Sequence, residues 1–287
     1  MRPMQPARRV GLSLIELLVG VMVTAMIAGA LATVAYSVNQ LDAAASGRSE
    51  SAQHARVALD HIEQEVARCH GSFAFPGVAM FAQSAGTERF PDTLVVWAPD
   101  GPPADPTGLP RFREIVVFTP HPHRPRQLLR IEDRTDPRVV PPLDDEVSWQ
   151  NELADMRTRL ADDALVLTDR VRVAAGPIGN GGAVRFRAAL RFYVSSRPGP
   201  QERDDYQNGL LPWEELRWPL GIVDREHGLA RTRCEIELQL VPAPDSGNTD
   251  SIVYLGSAAV EFIVRKADVP QLRSETLTTP GRLEMAR

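Results

Sequence analysis

The strongest constraint on this chain is a run of 22 residues, Leu17 to Val38, without one Asp, Glu, Lys, Arg or His. A helix rises ~1.5 Å per residue, so the run reaches ~33 Å and covers the ~30 Å hydrocarbon core of a bilayer. Arg2, Arg8 and Arg9 precede it and Asp42 follows it. The positive-inside rule then keeps the N-terminus in the cytoplasm and sends the rest of the chain outward. A secretory signal peptide is one rival reading. Its apolar core is only ~7–15 residues long, although the Ala-rich text near Ala43 offers a place to cut. A plain signal anchor is the second rival. Neither accounts for Glu16 at the start of the apolar segment. A carboxylate inside a membrane span is costly, and such an acid calls for a partner charge.

The remainder excludes several classes. Of 287 residues, 43% are apolar and 24% charged, which is the mix of a globular protein rather than a disordered or polytopic one. Two cysteines are too few for a disulfide-built scaffold or a four-cysteine zinc site. A pI near 5.7 argues against a nucleic-acid coat. The sequence has no nucleophile elbow, no P-loop and no HExxH. The six histidines scatter, and His54 and His61, seven apart, have no i,i+4 ligand mate. His121 and His123 sit among prolines, a weak candidate for metal. Asp144-Asp145, Asp162-Asp163 and Asp204-Asp205 read as solvated turn residues, since no EF-type spacing surrounds them. The expectation is a protein that is not an enzyme, with no metal and no cofactor.

The run Gly11-Leu12-Ser13-Leu14-Ile15-Glu16-Leu17-Leu18 resembles the class III signal of type IV pilins and type II secretion pseudopilins. The resemblance implies that a prepilin peptidase cuts between Gly11 and Leu12, that Leu12 becomes an N-methylated terminus, and that Glu16 is the retained acid. The family usually has Phe and Thr where Leu12 and Ser13 stand. Many major pilins carry a kinking proline in mid-span, and this span has none. Glu16 argues against the pseudopilin K type, which lacks that acid. The cut would remove three arginines and take the formal charge from −5 to −8. Physically, it creates a cation one helical turn from Glu16. In a bundle of like helices each acid can meet a neighbour's new terminus, and in low dielectric a paired charge is far less costly than a lone one. Only one axial offset satisfies it, so Glu16 would set register; a carboxylate that merely snorkels to the interface is the bland alternative. Small residues at Ala25, Gly29 and Thr33, with Ala28 and Ala32 beside them, suit close helix packing, or reflect ordinary membrane-helix composition.

No proline lies between Gln40 and Gly71. Positions 41, 45, 48, 52, 55, 59, 62, 66 and 69 form a stripe that is apolar or small except at Arg48. One helix is therefore expected from about Leu12 to about Cys69, with Gly71 as its stop, ~85 Å long. The small residues before Leu59 suit close packing on a domain better than a free coiled coil. The text RVALDHIEQEVARC resembles the helix end of minor pilins and pseudopilins. The expected fold class is α+β: a pilin-like long helix, membrane-spanning in its first half, packed on an antiparallel β-sheet domain. The expected divisions are a leader over 1–11, a transmembrane half over 12–38, an amphipathic half over 39–70, a β-rich domain over 71–267 and a loose tail over 268–287.

Strands are predicted at Thr93–Ala98, Glu114–Thr119, Gln127–Ile131, Ala183–Val194, Arg233–Val241 and Ala258–Arg265. In the fourth, Arg185, Arg187 and Arg191 share one face; in the fifth, Glu235 and Glu237 do, so the two strands are expected to pair charges. DNA binding is the less favoured use of those arginines. A helix is predicted over Asn151–Ala161, and Asp100–Pro110, Pro120–Pro125, Pro137–Pro142 and Pro198–Pro200 are loops. Leu167–Val171, the Trp213–Trp218 segment and the RCEIELQLV strand resemble the layout of the pseudopilin J group. Trp213 and Trp218 either contact a partner or cap the domain's own core. Cys69 and Cys234 are either a disulfide tying helix to sheet or two buried thiols.

The resemblance implies a minor pseudopilin of a type II secretion system, near the tip of a short periplasmic fibre. Implied partners are other pseudopilins or pilins through the N-terminal helix, the prepilin peptidase and an inner-membrane assembly platform, with no nucleic acid. The implied location is the bacterial inner membrane, single-pass, with the globular domain periplasmic. A minor type IV pilin for adhesion, motility or DNA uptake is the first alternative. A membrane-anchored ligand-binding or enzymatic domain is the alternative of another class.

Overall fold

A computed structural model describes residues 13–85, 88–178, 183–216, 226–242 and 251–269. The chain divides into two units, Met1–Glu50 and Ser51–Arg287. The first consists, among its described residues, of the opening part of helix α1 (Leu14–Ala67). Its apolar side chains, from Leu14 to Leu41, are exposed.

In the second unit α1 buries Ser51, Ala55, Ala58, Ile62, Glu65 and Val66, a stripe advancing by steps of three and four. The expected stripe is thus occupied at 55, 62 and 66, but its earlier positions 41, 45, 48 and 52 are exposed. The helix ends at Ala67. Gly71 lies beyond it and serves another purpose: a Cβ there would stand 2.5 Å from the Phe262 ring, so the position needs hydrogen for close approach.

Five antiparallel strands form a meander: β1 (Val78–Ala85), β2 (Glu88–Trp97), β3 (Ile115–Pro120), β4 (Leu128–Glu132) and β5 (Leu165–Thr168), in that order across the sheet. The runs LVVW and IVVF are continuously apolar because both faces of this sheet are covered. Leu94, Val96, Val116, Phe118 and Leu128 point toward Ala55, Ala58, Ile62 and Val66 of α1. Val95, Trp97, Ile115, Val117, Leu129 and Ile131 point the other way, toward α2 (Glu146–Leu160). That helix buries Trp149, Leu153 and Met156, and Phe81 stacks on Trp149 at 4.5 Å. Asp145 caps its start by accepting from Ser148 N at 3.1 Å, so this acid of the Asp144-Asp145 pair is a helix cap rather than a merely solvated turn residue.

The predicted strand Ala183–Val194 is two strands. β7 (Ala183–Ala188) pairs with β6 (Val173–Ile178) in a separate ribbon, and β8 (Leu190–Arg197) pairs with β9 (His227–Leu240). Between them Ala189 N donates to Arg172 O, and its carbonyl accepts from Gln239 N. Arg185 and Arg187 therefore stand opposite Gly176 and Ala174, not glutamates; Arg191 alone of the three meets its expected partner, Glu237. β9 is flanked by β8 and by β10 (Ile252–Arg265) in a three-stranded sheet. Cys234, Ile236, Leu238 and Leu240 of β9 enter the core that holds the α1 stripe. β10 begins six residues before its predicted start and lies against α1: a Cβ at Gly256 would sit 2.9 Å from Leu59 Cδ2. Two short helices, α3 (Pro200–Gln207) and α4 (Trp213–Leu216), bring Tyr206, Trp213 and Leu216 onto Phe73, Ala230 and Val264.

Candidate functional site

Ser13 and Glu16 form a reciprocal capping box at the start of α1. Ser13 N donates to Glu16 Oε2 at 2.9 Å, and Glu16 N donates to Ser13 Oγ at 3.2 Å. The carboxylate, read from sequence as an acid awaiting a partner charge, is here bonded to its own helix while staying exposed. Gly11 and Leu12 lie outside the described residues. The hydroxyls further along are satisfied in the same local way. Thr24 Oγ1 donates to Gly20 O at 2.7 Å, Thr33 Oγ1 to Gly29 O at 2.9 Å and Ser37 Oγ to Thr33 O at 3.0 Å. Gln40 Nε2 donates to the Tyr36 hydroxyl at 2.7 Å. The helix is long and apolar enough to cross a membrane. A shallow groove runs along Leu17, Gly20, Val21, Thr24, Ala25 and Ala28, and nothing lies within 4 Å of a Cβ built at Gly20 or Gly29.

Near the other end of α1 a second acid is handled in the opposite way. Glu65 is buried and bonds two guanidinium groups: Arg68 Nη2 at 2.5 Å, one turn on, and Arg130 Nη2 at 2.8 Å from β4. Arg130 also pairs with Glu132 at 2.5 Å; Glu132 meets Arg134, which reaches Asp100 at 3.2 Å. Burial alone would push the Glu65 carboxyl up; the hydrogen bonds and charges of Arg68 and Arg130 outweigh it and hold the group below its ordinary value. The expected apolar stripe runs through 62 and 66 and leaves this acid out. Its signal was positional: residue 65 is three on from Ile62 and shares its face.

Cys234 is buried in the apolar core and Cys69 packs half-buried against it, and the two are free thiols in this structure. Burial pushes both up to about 12, which leaves them inert as nucleophiles. Trp213 is buried in the domain's own core, and Trp218 lies outside the described residues. His121 is buried, and its Nδ1 accepts from His123 N at 3.0 Å and Arg124 N at 3.1 Å, so it holds a turn. His54 Nδ1 lies 3.4 Å from Thr168 Oγ1. Asp162 pairs with Arg124 at 2.5 Å, and Asp205 accepts from Gln201 at 2.9 Å. Among the described residues no group of three His, Cys, Asp or Glu is placed to hold a metal ion.

No family model matches this chain, and neither a curated protein nor a solved structure matches it. The α+β architecture and the long apolar helix are properties of the chain itself.

Proposed function

We propose that the chain is a minor pseudopilin of a type II secretion system: a non-catalytic subunit, held in the inner membrane by the first half of α1 and built into a short periplasmic fibre near its tip. The carrying observation is the placement of Glu16. It opens an exposed apolar helix with its carboxylate one turn from the residue that the GLSLIELL pattern would make the new N-terminus. In the single chain Ser13 occupies that carboxylate. In an assembly of like helices the stronger partner is an ammonium group, because it brings a full opposite charge as well as donors, where the Ser13 N–H brings a dipole only. The capping box is thus a resting arrangement for a group whose working partner lies on a neighbour. The first half of α1 meets other pseudopilins, the prepilin peptidase reads Gly11 and Leu12, and the domain from Ser51 onward supplies the specific contacts at the fibre tip.

Mass spectrometry of the native N-terminus tests this reading. A methylated terminus at Leu12 is the expected result. A protein that begins at Met1, or beyond the apolar run, would overturn it. Gly11→Trp should accumulate the longer precursor. Glu16→Ala should insert into the membrane as the parent does and be lost from complexes purified through a fibre partner; unchanged co-purification would remove Glu16 from its assigned role. Assembly that depends on a retraction ATPase would move the chain to the minor type IV pilins.

A further inference from the structure

β10 is the edge of its sheet. It bonds β9 on one side, and no described strand pairs with the other. One bond identifies the residues facing that open side: Ser257 N donates to Glu63 Oε1 of α1 at 3.3 Å. Peptide groups of a strand alternate between its two edges, so the odd-numbered residues from Val253 to Arg265 carry their N–H and C=O outward. Apart from Glu63, which occupies one N–H, the strand itself carries few of the usual protections of an edge. The strand is 14 residues long, has no proline, and carries no charge from Ile252 to Val260. It is also poorly covered. The inward residues Cys234, Ile236, Leu238 and Leu240 of β9 are buried, whereas Tyr254, Val260 and Phe262 of β10 remain half exposed. On the outer face Val253 is 50%, Leu255 76% and Ile263 60% exposed.

We infer that β10 pairs antiparallel with the β10 of a second copy of this chain, about a two-fold axis at Ala259, joining the two three-stranded sheets. The order of side chains selects this occupant and this register. About Ala259, Leu255 faces the partner's Ile263, Ile263 faces the partner's Leu255, and Ser257 faces the partner's Glu261. Every exposed large apolar side chain but Val253 then meets another. Centring on Glu261 would set that carboxylate against its own copy. Centring on Ser257 would leave Ile263 and Arg265 beyond the partner strand's end. The registers between oppose Glu261 to Leu255, or Leu255 to Arg265. In the single chain Glu63 holds the Ser257 N–H; in the pair it yields that donor to the carbonyl of the partner's Glu261. The contact is isologous and closes on itself, so it makes dimers and not filaments. Confinement to one membrane raises the effective concentration, so modest pairing suffices.

The test is a disulfide placed on the axis. Directly opposed, hydrogen-bonded residues have Cα atoms ~5.5 Å apart, within the ~4.4–6.8 Å that a disulfide spans. The full chain carrying Ala259→Cys, oxidised in its native membrane, should give a reducible covalent dimer several-fold above that of Leu210→Cys, an exposed control between α3 and α4. The parent chain, with Cys234 buried and Cys69 half-buried beside it in the same core, should give none. Chains carrying Leu255→Cys and Ile263→Cys should cross-link when co-expressed and not when either is alone. An Ala259→Cys yield no higher than the control, cross-links to a different protein, or equal linking of the Leu255→Cys chain to itself would each overturn the proposal. None of these outcomes reads N-terminal processing, so this inference and the proposed function stand or fall separately.

Discussion

Glu16 and Glu65 stand near opposite ends of one helix, and the carboxylate of each bonds a residue three positions away, Ser13 and Arg68. Glu16 is exposed among apolar residues and uses the serine three positions before it; Glu65 is buried and uses arginines three positions after it and on a strand. The difference lies in where the partner comes from. The far end of α1 has a folded domain to supply Arg130, so its charge is satisfied within one polypeptide and fixes the helix on the sheet. The near end has only its own backbone, and the acid there keeps its capacity to bond something else.

The largest effect expected from breaking this contrast is at Glu65. Glu65→Ala leaves the partly buried Arg130 with Glu132 as its remaining carboxylate and should cost ~2–3 kcal/mol, seen as a lower denaturation midpoint. If the midpoint moves by less than a third of that, the pair is a surface ornament. Acid sharpens the same point. Because the Glu65 pKa lies below its ordinary 4.5 when folded, its stabilisation is full above about 4.5 and fades as pH falls through the folded value. Asp133, bonded to Thr135 and Arg159, and Asp136, bonded to Arg138, shift the same way. Glu65→Gln should therefore flatten, but not abolish, the fall in stability below that pH; an unchanged slope would assign it wholly to the aspartates. The smallest effect is at the other end. Ser13→Ala removes one cap, worth ~1 kcal/mol of local helix stability, and should speed amide exchange in the first turn while leaving the domain's melting point alone. A shift of that melting point would mean the two acids are not independent.

Much of the core was legible before the structure. LVVW and IVVF declare strands because β-branched runs of that length have few other uses, and Leu153 and Met156 fall inside the helix predicted over Asn151–Ala161, whereas Trp149 falls before it. What escaped has identifiable causes. β6 carries Gly176-Pro177 in its interior, the pair that ordinarily marks a turn. The first half of β10 holds Gly256, Ser257 and Ala258, weak strand formers, yet Gly256 is there so that Leu59 can approach. Ala189 divides a run that alternates without a break, because β6 and β9 compete for the two halves. The start of α2 at Glu146 was signalled by Asp145 and Ser148, a cap one turn ahead of the predicted boundary. At the candidate site, Glu16 was visible as an anomaly of charge, but its bond to Ser13 was not, because the expected partner lay in another molecule.

The hydroxyls of Thr24, Thr33 and Ser37, each turned back onto a carbonyl four residues earlier, have a consequence of their own. Three hydroxyls closed in this way need no outside acceptor, so on the proposed function lipid can hold the rod one molecule at a time. If the chain is the pseudopilin proposed above, a cell can keep a standing pool of unassembled subunits, drawing them out only when a growing filament offers somewhere better for the acid at the rod's tip.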